Sequence, residues 1–308
     1  MFTRLSPKLD IVFKLLFTGP GTEEMLISLL SAVIRPLVAI RSVLVLNPET
    51  PKELSTDRAV FLDLRVQLAD GRQVDVEMQS QSRPGIRKRM LYHWARLYAG
   101  QLARGMDYAA LQPCICIFLL DYRELRSDRF HSTFRVLEVH DHEPLADQFE
   151  VHLVELPKLP KPGSVEWIQE RKLADWGRFF SAQDDRELEE LAMSDPVFGK
   201  AKGELDRLSG DPLVQYIARE REYGHMMEQM HRIEARNEGL AEGEARGRAE
   251  GKLETERSVL VRLLEHRFGP LDEGFRTRID QADTERLSEW VLRVVSSESI
   301  EAVFDEEP

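Results

Sequence analysis

Cysteine is nearly missing from this sequence: Cys114 and Cys116 are the only two in 308 residues. They stand one residue apart in the apolar run CICIFLL, without metal-ligand or redox spacing. That excludes a disulfide framework and suits a reducing compartment. Long apolar runs are missing too, since none approaches the roughly 18–20 residues of a membrane span, so no membrane partner is expected. The opening MFTRLSPKLD lacks the apolar core of a signal peptide, and the expected location is the cytoplasm. A P-loop, a glycine-rich dinucleotide fingerprint and a Ser/His/Asp order are all absent, which removes nucleotide-driven and serine-hydrolase readings. Base is in short supply overall, with 42 Lys and Arg against 54 Asp and Glu for a net charge of -12. The chain is therefore not coated for indiscriminate nucleic-acid binding.

Acid, however, is locally absent. From Ser80 to Met106 there is no Asp or Glu, while Arg83, Arg87, Lys88, Arg89, Arg96 and Arg104 are all present. Such a stretch suits either an ordinary helix with a solvated basic face or a surface that neutralises phosphates. What precedes it favours phosphate.

Residues 59–79, AVFLDLRVQLADGRQVDVEMQ, read as a β-hairpin. Leu62, Leu64, Val66 and Leu68 alternate with Phe61, Asp63, Arg65 and Gln67. Val74, Val76 and Met78 alternate with Gln73, Asp75, Glu77 and Gln79. Both halves have the period of two that marks strands. A two-residue turn at Asp70-Gly71 would set Val66 against Asp75, apolar against acidic. A three-residue loop with Gly71 in the left-handed conformation pairs Leu68 with Arg72 instead, and hence Asp63 with Glu77. Opposed residues in such a ladder have Cα atoms about 4.5–5.5 Å apart, and like charges there repel unless a cation lies between them. Mg²⁺, with Mn²⁺ as a substitute, suits two hard carboxylates completed by water. Gln79, on the same face as Glu77, could orient a water. The alternation also fits the solvated outer face of an antiparallel sheet.

An Asp on one strand followed after a short turn by Glu-x-Gln on the next resembles the core of PD-(D/E)XK nucleases. The likeness to the recombination-promoting nuclease/putative transposase (Rpn) family runs further, through SPKLDIVFKLLF, RKRMLYHWARLYAGQLARGMDYAALQPCICIFLLDY and VHLVELPKL. The resemblance implies an α/β, restriction-endonuclease-like αβββαβ core followed by an all-helical C-terminal part. It also implies metal-dependent DNA cleavage linked to recombination or mobile elements, with Asp63, Glu77 and Gln79 catalytic and Asp63 and Glu77 on Mg²⁺. In the same family pattern Asp10 is an additional metal or water ligand and Lys14 and Gln101 are accessory, while Arg83, Arg87, Lys88, Arg89 and Arg96, following directly on Gln79, are expected to contact DNA. Because Gln79 cannot act as the lysine it replaces, a catalytically inactive, transposase-like DNA-binding or self-assembling protein stands as the alternative.

Read in order, Ser6-Pro7 opens a helix through LDIVFKLLF, where Asp10 also suits the helix dipole and Lys14 a surface position. Glu23 to Leu37 continues as helix, and Ile40 to Leu46 is the first strand. Ile86 to Arg104 is a helix burying Leu91, Trp94 or Ala95, Leu97 or Tyr98 and Leu102, closed by Gly105. Residues 113–120 form a strand covered on both faces. Residues 131–139 and 149–156 are read as edge strands. His140 and His142 have no third ligand nearby and are read as loop residues. Three parts are expected: 1–160 as the nuclease core, 161–255 as a helical extension, and 256–308 as a small helical domain. Gly239, Gly243, Gly247 and Gly251 recur every four residues, as either a smooth stripe for self-association or a flexible linker. A homo-oligomer through the helical part is the expected partner besides DNA.

Overall fold

The computed structural model describes residues 4–47 and 64–305. Among these, two helices, α1 (Asp10–Thr18) and α2 (Glu23–Ile34), precede strand β1 (Val43–Val45). The hairpin follows as β2 (Leu64–Leu68) and β3 (Gln73–Gln79), then α3 (Ile86–Ala99), β4 (Cys114–Leu120), β5 (His131–Phe134) and β6 (Phe149–Glu155). The sheet order is β1-β2-β3-β4-β6-β5. β3, β4 and β6 run parallel, as the crossover through α3 requires, while β1, β2 and β5 pair antiparallel with their neighbours. β6 is thus an inner strand and not the edge expected of it, because the shorter β5 folds back outside it.

The hairpin has the register that its face alternation predicts. Leu64 pairs with Val76, Arg65 with Asp75 and Val66 with Val74. The Leu68 amide donates to the Arg72 carbonyl at 2.9 Å, and Gly71 adopts φ +91°, a region open to glycine at little cost. Asp63 lies outside the described residues.

Other boundaries shift for local reasons. The first helix begins at Asp10 and not at Ser6, since residues 6–9 form a turn in which the Leu9 amide donates to the Ser6 carbonyl. α2 ends at Ile34, where Arg35 takes the left-handed conformation (φ 51°). α3 ends at Ala99, with Gly100 as its cap, so the helix stops short of Arg104. Its inward stripe is Ile86, Met90 and Leu97, all buried, with the half-buried His93 between them, and Leu91 faces solvent.

Each face of the sheet carries its own core. Val74, Val76, Ile115, Ile117 and Val154 meet α1 and α2, joined, beyond the short α4 (Val165–Gln169), by α5 (Arg171–Ser181), α6 (Asp185–Ser194), α7 (Pro196–Gly210) and the start of α8 (Pro212–Phe268). Trp176 is the centre of this side, with ring centroids 5.6 Å from Phe17 and 4.9 Å from Phe198. Opposite, Cys114, Cys116, Phe118 and Leu153 meet Ile86, Met90 and Leu97 of α3 alone.

The chain divides into two compact units, Met1–Gly224 and His225–Pro308. In the second, Leu260 and Leu264 of α8 pack with Ile279 of α9 (Glu273–Gln281), Leu287 and Trp290 of α10 (Thr284–Ser296) and Phe304 of α11 (Ile300–Phe304). No helix among the described residues is long and apolar enough to cross a membrane.

Candidate active site

Strand alternation sends Asp75 and Glu77 to the α3 side of β3, and α3 closes over them. They are 2% and 5% exposed, so this is an interior face and not a solvated one. A buried carboxylate needs a cation or several donors, and α3 supplies the cation. Its stripe brings His93 over β3, where Nδ1 forms an ion pair with Glu77 Oε1 and lies 3.9 Å from Asp75 Oδ2. One ligand atom from each of Asp75, Glu77 and His93 lies within 4.8 Å of the others.

Arginines and an amide complete the surroundings. Arg65 Nε, across the hairpin, is 3.9 Å from Asp75 Oδ1, and Arg89, one turn before His93, places a guanidinium nitrogen 3.7 Å from Glu77 Oε2. The Gln79 side chain donates to the same Glu77 oxygen at 2.7 Å. Burial pushes the Glu77 carboxyl up, but the His93 hydrogen bond, the charges of His93 and Arg89 and the Gln79 amide outweigh it and leave it below the usual range. Asp75 and then Glu77 raise the His93 imidazole to about 9. Near neutral pH His93 is an imidazolium between two carboxylates, the place where a metal cation would sit. Two carboxylates and an imidazole of this spacing are a donor set that fits a divalent metal.

The residues singled out in the sequence separate into several groups. Glu77, Gln79 and Arg89 come together. Arg87 is committed to Glu124, donating to its carboxylate at 2.6 Å and its backbone carbonyl at 2.8 Å. Lys88 and Arg96 are exposed on the outer face of α3, and Arg83 is half-buried at its approach. Gln101 exchanges two 2.9 Å hydrogen bonds with the Gln112 backbone, fastening the end of α3 to the start of β4. Asp10 accepts from the amide of Ile11 at 2.7 Å. Lys14, expected at the surface, is fully buried, because residues 11–17 of α1 are enclosed on all sides by the sheet and neighbouring helices. The cysteines are buried and free, and burial raises the Cys114 thiol to about 11 and Cys116 further, so both are inert thiols. His140 and His142 lie in an exposed turn.

Sequence reasoning missed Asp75 and His93. The signal was present in part: Ile86, Met90, His93 and Leu97 follow a four-three-four spacing, with Arg87, Lys88 and Arg96 marking the solvent side. A histidine on that stripe, opposite a strand with acids on alternate positions, has somewhere to point.

A family model for PD-(D/E)XK nuclease family transposases matches residues 7–231. Neither the curated proteins nor the solved structures yield a match.

Proposed function

This chain belongs to the PD-(D/E)XK nuclease family transposases, and from that premise we propose that it is a metal-dependent endonuclease hydrolysing DNA phosphodiesters at the end of β3. The observation that carries this reading is the buried grouping of Asp75, Glu77 and His93 within 4.8 Å, in a chain of nuclease ancestry. Asp75 and Glu77 would hold Mg²⁺ or Mn²⁺, with His93 as the third donor once its proton is lost, and Asp63 is assigned to the same ion from its place in the sequence motif. The bound ion supplies a nucleophile near neutral pH and stabilises charge on the phosphoryl group. Gln79, at the open end of β3, orients water. Arg89, held toward Glu77, offers charge to the scissile phosphate. Lys88 and Arg96 on the outer face of α3 position the backbone without reading sequence. A cytoplasmic role in recombination or element mobility belongs to the same proposal.

The test is nicking of supercoiled plasmid with Mg²⁺, Mn²⁺ or EDTA. The wild type nicks only with metal, and Glu77→Gln and Asp75→Asn each lose on the order of 10²-fold or more. Equal cutting by wild type and variants overturns the assignment.

A silent DNA-binding protein is the second reading. The observation favouring it is that His93 is already ion-paired with Glu77 and Gln79 already donates to it. Such a protein binds DNA with or without metal, and neither wild type nor Glu77→Gln cuts. Self-association through α8 is part of the proposal as well: Gly239, Gly243, Gly247 and Gly251 have open space where a Cβ would stand. Gly243→Leu with Gly247→Leu then lowers the mass in solution by light scattering, and an unchanged mass removes the idea.

A further inference from the structure

A second polar site lies on the other face of the sheet. Across the β4–β6 ladder His152 pairs with Ile117, on the α1 and α2 side, whereas Glu77 pairs with Phe118 on the α3 side. Around His152, between the end of α2, the 125–129 loop and β5, there is an open pocket of about 830 Å³. Four arginines line it, Arg35, Arg126, Arg129 and Arg135, against two carboxylates, Glu150 and Glu170. Histidines left out of the count, that leaves an excess of two positive charges in a protein whose net charge is -12.

The arginines fall into two pairs. Arg35 is ion-paired with Glu170, and Arg135 lies 3.3 Å from Glu150. These carboxylates hold two guanidinium groups in place. Arg126 and Arg129 have no carboxylate partner among the described residues and stand at the rim, exposed. Arg35 occupies the left-handed C-cap of α2 (φ 51°), a position usually given to glycine or asparagine. Its use by an arginine puts a cation at the wall where the helix ends.

The rim loop is fixed from beneath by a buried ion pair. Lys158 Nζ donates to the carbonyls of Leu125 at 2.9 Å and Ser127 at 2.6 Å and to Glu155 Oε2 at 2.6 Å. Glu155 Oε1 accepts from the amides of Glu124 at 2.6 Å and Leu125 at 3.1 Å. A buried ion pair is weak evidence for stability but an effective way to specify one backbone conformation. Here that conformation presents Arg126 and Arg129. On the pocket floor, His131 Nε2 and His152 Nδ1 are 2.9 Å apart, and His152 Nε2 is 2.9 Å from Glu150 Oε1. Burial, and then His152, pull His131 down to about 3, so it lines the floor as a neutral hydrogen-bonding ring.

We infer that this pocket binds a small phosphate-bearing ligand of nucleotide size, separately from the acid cluster under α3. Two anchored guanidinium groups and two unpaired ones match the oxygens of a diphosphate through charge-assisted, forked hydrogen bonds. A volume of about 830 Å³ is in the range of small-molecule sites and leaves room for a base and sugar beside the phosphates.

Isothermal titration of the full chain with ADP, with pyrophosphate and with a single-stranded oligonucleotide tests this. The comparison includes Arg126→Ala/Arg129→Ala and, as a control on the α3 face, Lys88→Ala/Arg96→Ala. ADP and pyrophosphate bind the wild type and the α3-face control alike, and the rim variant weakens both by roughly tenfold or more. No binding of either probe to the wild type, or binding indifferent to the rim variant, overturns the inference. So does oligonucleotide binding that depends on Arg126 and Arg129 while ADP and pyrophosphate do not bind, since the arginines then follow a nucleic-acid backbone. The nicking assay is independent of this result, so either proposal can fail alone.

Discussion

The face of the sheet under α3 and the face under α1 and α2 are built from the same strands, residue by alternate residue. Val74 and Val76 of β3 point one way into an apolar core with Phe13, Phe17, Trp176 and Phe198, where helices lie several deep. Asp75 and Glu77 point the other way, under one helix that brings His93 to them. The multilayered face supplies the apolar burial on which net stability rests. The single-layered face holds the charged cluster, with the half-buried Gln79 beside it at the end of β3. On the deeper side the arginine pocket lies at the edge, at β5.

The largest test of this contrast is Trp176→Ala. Trp176 is 1% exposed and its ring nitrogen donates to Ser28 Oγ at 3.2 Å. Truncation costs about 3–5 kcal/mol by the usual cavity and transfer terms, measured as a shift in the denaturant midpoint. A cost under about 1 kcal/mol would break the comparison by showing that stability lies elsewhere.

A pH titration of the metal-free protein sharpens it from the other side. His93 is raised from 6.5 to about 9 in the folded state, so folding gains from its bound proton. The gain is complete below pH 6.5 and is lost as pH rises through about 9. It amounts to on the order of 3 kcal/mol, and the depressed pKa of Glu77 is the same interaction seen from its partner. Asp75→Asn removes the largest cause of the shift, and its stability should fall less over that window. If wild type and variant decline in parallel, His93 is not held by these acids.

The smallest effect is expected on the outer surface of α3. Lys88→Ala and Arg96→Ala should each lower the salt slope of DNA binding by about one, with the denaturant midpoint unmoved. A shifted midpoint would mean that these side chains belong to the packing and not to the surface.

The hairpin was legible because both strands alternate strictly and only one loop length keeps their faces aligned. Gly71 marked the turn. Asp75 was harder to see: alternation tells which residues share a face but not whether a helix will cover it, and an acid on a covered face looks in sequence like an acid in water. His93 was lost through a rotation of α3 that put Leu91 inside, an error one residue wide that turns a helix by about 100°. Lys14 was misplaced for the opposite reason, since a lysine in the middle of an apolar helix usually reaches solvent. The arginine pocket could not be read at all, as Arg35, the 126–129 loop and His152 come from three segments that only the tertiary fold brings together.

The three groups of the acid cluster come from two consecutive elements, Asp75 and Glu77 from β3 and His93 from α3. In folding terms this is a low-contact-order assembly whose members meet after a short loop closure, whereas β6 and the helices beyond it must be recruited from far along the chain. Asp75 and Glu77 can therefore meet their cation as soon as α3 docks. As a chain leaves the ribosome from its N-terminal end, Asp75, Glu77 and His93 emerge before the aromatic residues of α5 and α7 that complete the opposite face.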